Sequence, residues 1–110
     1  AALDYFDLRL PLPELTRYML LTVDVKPEYR NRLPGITHVD GTARIQVVTE
    51  EFNPDIYRLL VEFENLTGYA VLINTSFNRH APIVCSPEDA LDCYQATKLD
   101  SLFIGNYQVG

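Results

Sequence analysis

An α/β or α+β domain, a mixed twisted sheet covered by helices, is the fold class the sequence predicts. Three observations predict it. Two short stretches, residues 18–25 and 43–49, alternate along the chain with the period of two that a strand requires. Two helix-start signals of one kind, Asn53-Pro54-Asp55 and Ser86-Pro87-Glu88-Asp89, each open an apolar run at helical spacing. Between them lies the continuous run YAVLIN, residues 69–74, which reads as a buried central strand.

The elements follow in order. The first 17 residues, AALDYFDLRLPLPELTR, hold two prolines and no sustained period, and read as an irregular approach segment. From Tyr18 to Val25, the residues Met19, Leu21, Val23 and Val25 alternate with Tyr18, Leu20, Thr22 and Asp24. A long turn region follows, broken by Pro27, Pro34, Gly35 and Gly41. In ARIQVVT the alternation places Ala43, Ile45 and Val47 on one face and Arg44 and Gln46 on the other, so an arginine projects from the start of a strand beside a loop.

Asn53 is a capping residue, Pro54 suits the first helical position, and Asp55 suits the positive end of the helix dipole. Ile56, Leu59, Leu60 and Phe63 continue at helical spacing, and Gly68 supplies the stop. The second helix runs from Pro87 to about Lys98 with Ala90, Leu91 and Tyr94 inward, and SLFIG closes as a further strand. The order is strand, strand, helix, strand, helix, strand, which a mixed sheet covered by helices satisfies most simply. Residues 26–42 and 75–86 form long loops, where sites are usually carried.

Composition sets the frame. The chain has 110 residues, 47% apolar and 22% charged, and reads as one domain. Roughly two-thirds of the unfolded surface can be buried at this length. A net charge of −6, with no run of lysines or arginines, argues against a nucleic-acid partner but leaves room for an anion held by one or two arginines. No stretch approaches the roughly 18 apolar residues of a membrane span, so a soluble, cytoplasmic protein without a membrane partner is the expectation. Cys85 and Cys93 lack metal-ligand spacing and are expected as reduced thiols.

Two polar groupings could carry chemistry. In THVDGTAR, residues 37–44, Gly41 and Thr42 can expose backbone N–H groups beside Arg44, whose planar fork suits a phosphate or carboxylate. The alternative is a hairpin-like turn with Arg44 in a surface salt bridge. His38 and Asp40 also fit two ligands of a metal, but two are too few to name a site, and a structural histidine is the plainer reading. In NTSFN, residues 74–78, Ser76 and Asn78 offer a hydroxyl and an amide to a planar polar ligand at a strand end, with Thr75 beside them. The alternative is a turn that satisfies its own backbone. Cys85 and His80 can be drawn as nucleophile and base, with no geometric support.

Taken together, YMLLTVDV, LPGITHVDGTARIQVV, NPDIYRLLVEFENLTGYAVLINTSFN and PIVCSPEDALDCYQATKLDSLFIGNY resemble the carboxy-terminal part of the NodU-like O-carbamoyltransferases. The resemblance runs from about Tyr5 to the end of the chain, and THVDGTAR followed after one helix by NTSFN is its most specific pair. It implies a YrdC-like domain, residues 1–110, that belongs to a larger two-part enzyme. Such a domain takes carbamoyl phosphate and ATP, with magnesium, to a carbamoyl adenylate. An amino-terminal domain of the same protein, carrying an iron-type metal on histidines, then passes the carbamoyl group to a hydroxyl acceptor.

By the same resemblance Arg44 binds the phosphate of carbamoyl phosphate, and Ser76 and Asn78 receive the carbamoyl and adenylate groups. Gly41, Thr42 and Thr75 complete the expected binding set. The family's domain begins further upstream, with a lysine and further arginines that share the phosphate site. Arg9, Arg17, Lys26 and Arg30 match none of these. The expectation is therefore a truncated domain holding half of an anion site, inactive alone and with some apolar surface uncovered. The competing class is a noncatalytic ligand-binding or interaction module on the same scaffold; a cysteine-dependent hydrolase using Cys85 and His80 is a third.

Overall fold

The computed structural model describes residues 2–110, and the chain packs as two compact units, Ala1–Ile73 and Asn74–Gly110. Strands β1 (Leu21–Asp24) and β2 (Thr42–Ile45) form an antiparallel ladder in the first unit. Helices α1 (Pro27–Arg30) and α2 (Pro54–Thr67) complete it, and short 3-10 turns cover Ala2–Tyr5 and Glu14–Tyr18. The second unit holds α3 (Pro87–Thr97) and the antiparallel pair β3 (Leu102–Ile104) and β4 (Tyr107–Val109).

The α+β class stands. Among the described residues, however, the strands pair as two separate two-stranded ladders rather than as one mixed sheet.

The first unit is organised by Val25, whose side chain is fully buried. Around it pack Tyr5, Phe6, Ala43 and Ile45, with Val23, Tyr29, Leu33, Ile36, Val47, Tyr69 and Val71 partly buried against them. The approach segment thus supplies two core aromatics: Phe6 bridges to Val25, and Asp7 N–H donates to the Asp24 carbonyl (2.9 Å). Alternation read from sequence holds across both strands. Ala43 and Ile45 are buried while Arg44 and Gln46 are exposed, and Thr22 and Asp24 face outward.

The strand ends differ from expectation. Glu14–Tyr18 coils into a 3-10 turn closed by Met19 in the left-handed region (φ 58), so β1 starts only at Leu21. Beyond Ile45 the ladder lacks a partner because β1 has ended, and Val47 N–H turns instead to the Thr16 carbonyl (2.8 Å).

YAVLIN is not a strand. Tyr69 and Val71 pack on the core from irregular backbone, while Ile73 is 63% exposed. A continuous apolar run states a need for burial and names no hydrogen-bonding edge. β1 and β2 pair with each other over four residues, and the run is held instead by its partly buried side chains and, at its start, by Tyr69 N–H donating to the Thr67 hydroxyl (3.2 Å).

Helix caps appear as expected. Asn53 Oδ1 accepts from Ile56 N–H (3.3 Å), and Gly68 ends α2 with φ 82. No residue of α2 is buried, and Leu66 is 84% exposed. At α3, Ser86 and Asp89 form a reciprocal capping box (Asp89 N to Ser86 Oγ 3.0 Å; Ser86 N to Asp89 Oδ2 3.2 Å). The inward face carries Ala90 and Cys93, with Tyr94 half-buried and Leu91 exposed, so Cys93 takes the place expected for Leu91. Residues 107–109, unassigned from sequence, pair with β3 through the two-residue turn Gly105-Asn106, where Gly105 takes the φ of 57 that such tight hairpins favour.

Ser86→Ala should destabilise the second unit by about 1 kcal/mol, measured by denaturant titration. The Ser86 hydroxyl, then the Cys85 thiol and backbone N–H, hold the Asp89 carboxyl below its ordinary value. A depressed carboxylate stabilises the fold above the ordinary carboxylate range, and that contribution is lost as pH falls through the depressed value. Asp89→Asn should flatten this acid-side slope.

Candidate functional site

In the first unit the candidate residues lie where the loop before β2 enters the ladder. Thr42 and Arg44, two apart on β2, project to one face, opposite Asp24 and Thr22 respectively. Ala43 and Ile45 are anchored in the core on the other face, so the register fixes which way Arg44 points. Arg44 is exposed, and among the described residues it forms neither an ion pair nor a hydrogen bond. The salt-bridge alternative for this residue does not hold.

The loop itself is tightly closed. Gly41 N–H donates to the His38 carbonyl (2.9 Å), and His38 N–H donates to the Thr42 carbonyl (2.7 Å). Asp40 Oδ1 accepts from the Thr42 backbone N–H (3.0 Å) and from the Thr42 hydroxyl (2.7 Å), and His38 Nδ1 lies 3.1 Å from the same hydroxyl oxygen. The Thr42 hydroxyl, then its backbone N–H, hold the Asp40 carboxyl below its ordinary value. The Thr42 N–H is committed to Asp40, and the Arg44 guanidinium is an outward donor group beside this loop. Among the described residues no third His, Cys, Asp or Glu joins His38 and Asp40 as a metal group.

Gly41 is buried with φ 84, a left-handed conformation that glycine adopts without steric cost. The Arg30 guanidinium occupies the space a side chain would need: a Cβ on Gly41 would lie 2.7 Å from Arg30 Cζ and 2.9 Å from Nε. Arg30 Nε donates to the Val25 carbonyl (2.8 Å), and Val25 N–H donates to the Gly41 carbonyl (2.9 Å). Arg30, unmatched in the sequence, therefore braces the loop. The local signal for it is Lys26-Pro27-Glu28, which repeats the Pro-plus-acid start of the longer helices and puts Arg30 on a helical turn, but its meeting with Gly41 has no local signal.

In the second unit, Thr75, Ser76 and Asn78 are exposed and Phe77 is half-buried. The segment closes on itself: Val84 N–H donates to the Phe77 carbonyl (3.0 Å), and Asn78 Nδ2 donates to the Ala81 carbonyl (3.0 Å). The turn reading thus accounts for the Asn78 amide nitrogen and leaves its Oδ1 as an acceptor. Arg79 Nη1 donates to the Ala96 carbonyl in the last turn of α3, where a cation complements the helix dipole.

Cys85 does not have the environment of a nucleophile. Its Sγ donates to Asp89 Oδ2 (3.4 Å), and this hydrogen bond, then the carboxylate charge, raise the thiol above its ordinary value. An activated cysteine needs the reverse. Alkylation of Cys85 near neutral pH should be slower than that of an unstructured cysteine peptide, and Asp89→Asn should accelerate it several-fold. Both cysteines are free, Cys93 buried.

A profile of the family described as Carbamoyltransferase C-terminus matches residues 1–110. An uncharacterised protein of Synechocystis is 45% identical over 94% of this chain. Nodulation protein NolO of Bradyrhizobium diazoefficiens is 42% identical over 89% of the chain, and nodulation protein NolNO of Sinorhizobium fredii 41% identical over 84%. The chain spans 20%, 19% and 14% of these relatives' lengths, respectively. The chain belongs to the carbamoyltransferase C-terminus family.

Proposed function

We propose that this chain is the carbamoyl-activating part of an ATP-dependent O-carbamoyltransferase. The observation that carries the reading is Arg44: an exposed guanidinium without a partner among the described residues, aimed by the register of β2 beside a braced loop, in a member of this family. Its fork matches two oxygens of a phosphate. In the second unit, Ser76 and Asn78 offer groups of the kind a carbamoyl group would take. The Asn78 nitrogen is already donating to Ala81, so its Oδ1 can accept from the carbamoyl NH2, while the Ser76 hydroxyl can donate to the carbonyl. Thr75 adds a second exposed hydroxyl, and Gly41 and Thr42 shape the loop that presents Arg44.

The atoms balance if a water enters. Carbamoyl phosphate and water give carbamate and phosphate; a carbamate oxygen then attacks the α-phosphorus of ATP, and pyrophosphate leaves. Magnesium carried on ATP keeps several waters and takes few protein ligands, so it needs no protein cage. An iron-type metal would need ligands from outside this chain, since no group of three candidate ligands occurs among the described residues. The remaining part of the polypeptide would hold that metal and present the hydroxyl acceptor.

The test is a titration with carbamoyl phosphate followed by amide chemical shifts, with inorganic phosphate as the control. Shifts at Gly41–Arg44 and at Ser76–Asn78, the latter absent with inorganic phosphate, are expected. Silence at both segments at millimolar ligand would overturn the assignment.

A further inference from the structure

His38 has no role in the reaction proposed so far, yet the loop specifies its tautomer. Thr42 has one hydroxyl proton, and the 2.7 Å contact to Asp40 Oδ1 uses it, because a carboxylate can only accept. The Thr42 oxygen therefore faces His38 Nδ1, 3.1 Å away, as an acceptor, so Nδ1 carries the hydrogen. In the neutral ring Nε2 then holds the lone pair. The Thr42 hydroxyl and N–H also hold the Asp40 carboxyl below its ordinary value, which keeps it an acceptor for Thr42. The ring is exposed, and Thr42, to which it is bonded, shares the outward face of β2 with Arg44.

We infer that His38 is the catalytic base of the water-consuming step, with Thr42 and Asp40 as positioning residues that hold it in the Nδ1–H tautomer. The inference rests on the proposed reaction. His38 Nε2 takes a proton from water as the water oxygen bonds to the carbonyl carbon of carbamoyl phosphate. The bond from that carbon to the phosphate oxygen breaks, with Arg44 meeting the charge on the departing phosphate. The imidazolium returns its proton to the phosphate, and the carbamic acid releases its own proton to solvent. The other charged groups around the loop are Arg30 against Gly41, Asp24 opposite Thr42, and Arg44 itself.

Two measurements test this. Nitrogen-15 spectra of the imidazole in this chain, taken above the histidine range, should show the Nδ1–H tautomer at His38 and a move toward Nε2–H in Thr42→Val. An Nε2–H tautomer in the unaltered chain would overturn the inference. In the full polypeptide, phosphate release from carbamoyl phosphate, above its spontaneous breakdown, should fall about 100-fold in His38→Gln. The dissociation constant for carbamoyl phosphate should change less than about threefold. Thr42→Val should fall about tenfold and displace the acid limb of the pH profile, which a purely structural role would leave in place. Release that survives His38→Gln would overturn the role of His38 alone, whereas no release by the unaltered polypeptide would overturn the reaction as well.

Discussion

Arg44→Ala should lower carbamoyl-phosphate-dependent pyrophosphate release by the full polypeptide about 100-fold or more, the usual consequence of removing a donor aimed at developing phosphoryl charge. Arg44→Lys should recover part of this, because the charge returns without the planar fork that contacts two oxygens. Folding stability should move by less than about 0.5 kcal/mol in either variant, since Arg44 is exposed and bonds to no described residue. The separation is what gives the test its force: activity is measured by pyrophosphate release, stability by denaturant titration. Unchanged release in Arg44→Ala would return this arginine to an ordinary surface role. Equal losses of stability and activity would mark it as structural.

The second large effect is expected at Gly41. Alanine there must hold φ near 84, which costs an L-residue roughly 1–2 kcal/mol. Its Cβ must also displace the Arg30 guanidinium, which endangers the Nε bond to the Val25 carbonyl. Charged hydrogen bonds contribute about 1.5–3 kcal/mol, so a total destabilisation of about 2–4 kcal/mol follows if the bond is partly kept. The double variant Gly41→Ala with Arg30→Ala separates the causes. Relief of the clash should make its cost smaller than the sum of the single costs by more than about 0.5 kcal/mol. Strict additivity would mean that Arg30 does not brace the loop.

These two positions also show how unevenly the site was legible. Arg44 and Gly41 belong to a local pattern, a glycine turn followed by an alternating strand, and both stand where that pattern puts them. Arg30 does not. Eleven positions before Gly41, it meets that residue only because Pro27 starts a helical turn and Val25 is bonded to both. His38 and Asp40 were visible as a pair that a metal could use, with a structural histidine the plainer reading; the Thr42 hydroxyl between them makes the pair a hydrogen-bonded chain. Ser76 and Asn78 were singled out as donors and acceptors, and the bond from Asn78 to Ala81 shows which half of the amide is committed.

What the sequence by itself determined is the chemistry that acts over three or four residues. The caps at Asn53 and Ser86, the stop at Gly68, the inward and outward faces of β1 and β2, and the α+β class all follow from neighbours along the chain. Tertiary structure alone decided which apolar segments gained a strand partner. YAVLIN has the composition of a central strand and remains irregular, whereas the shorter, more polar Tyr107–Val109 pairs with β3. The reason is physical: apolar side chains contribute by burial in any backbone conformation, but a strand exists only where another segment presents N–H and C=O groups in register.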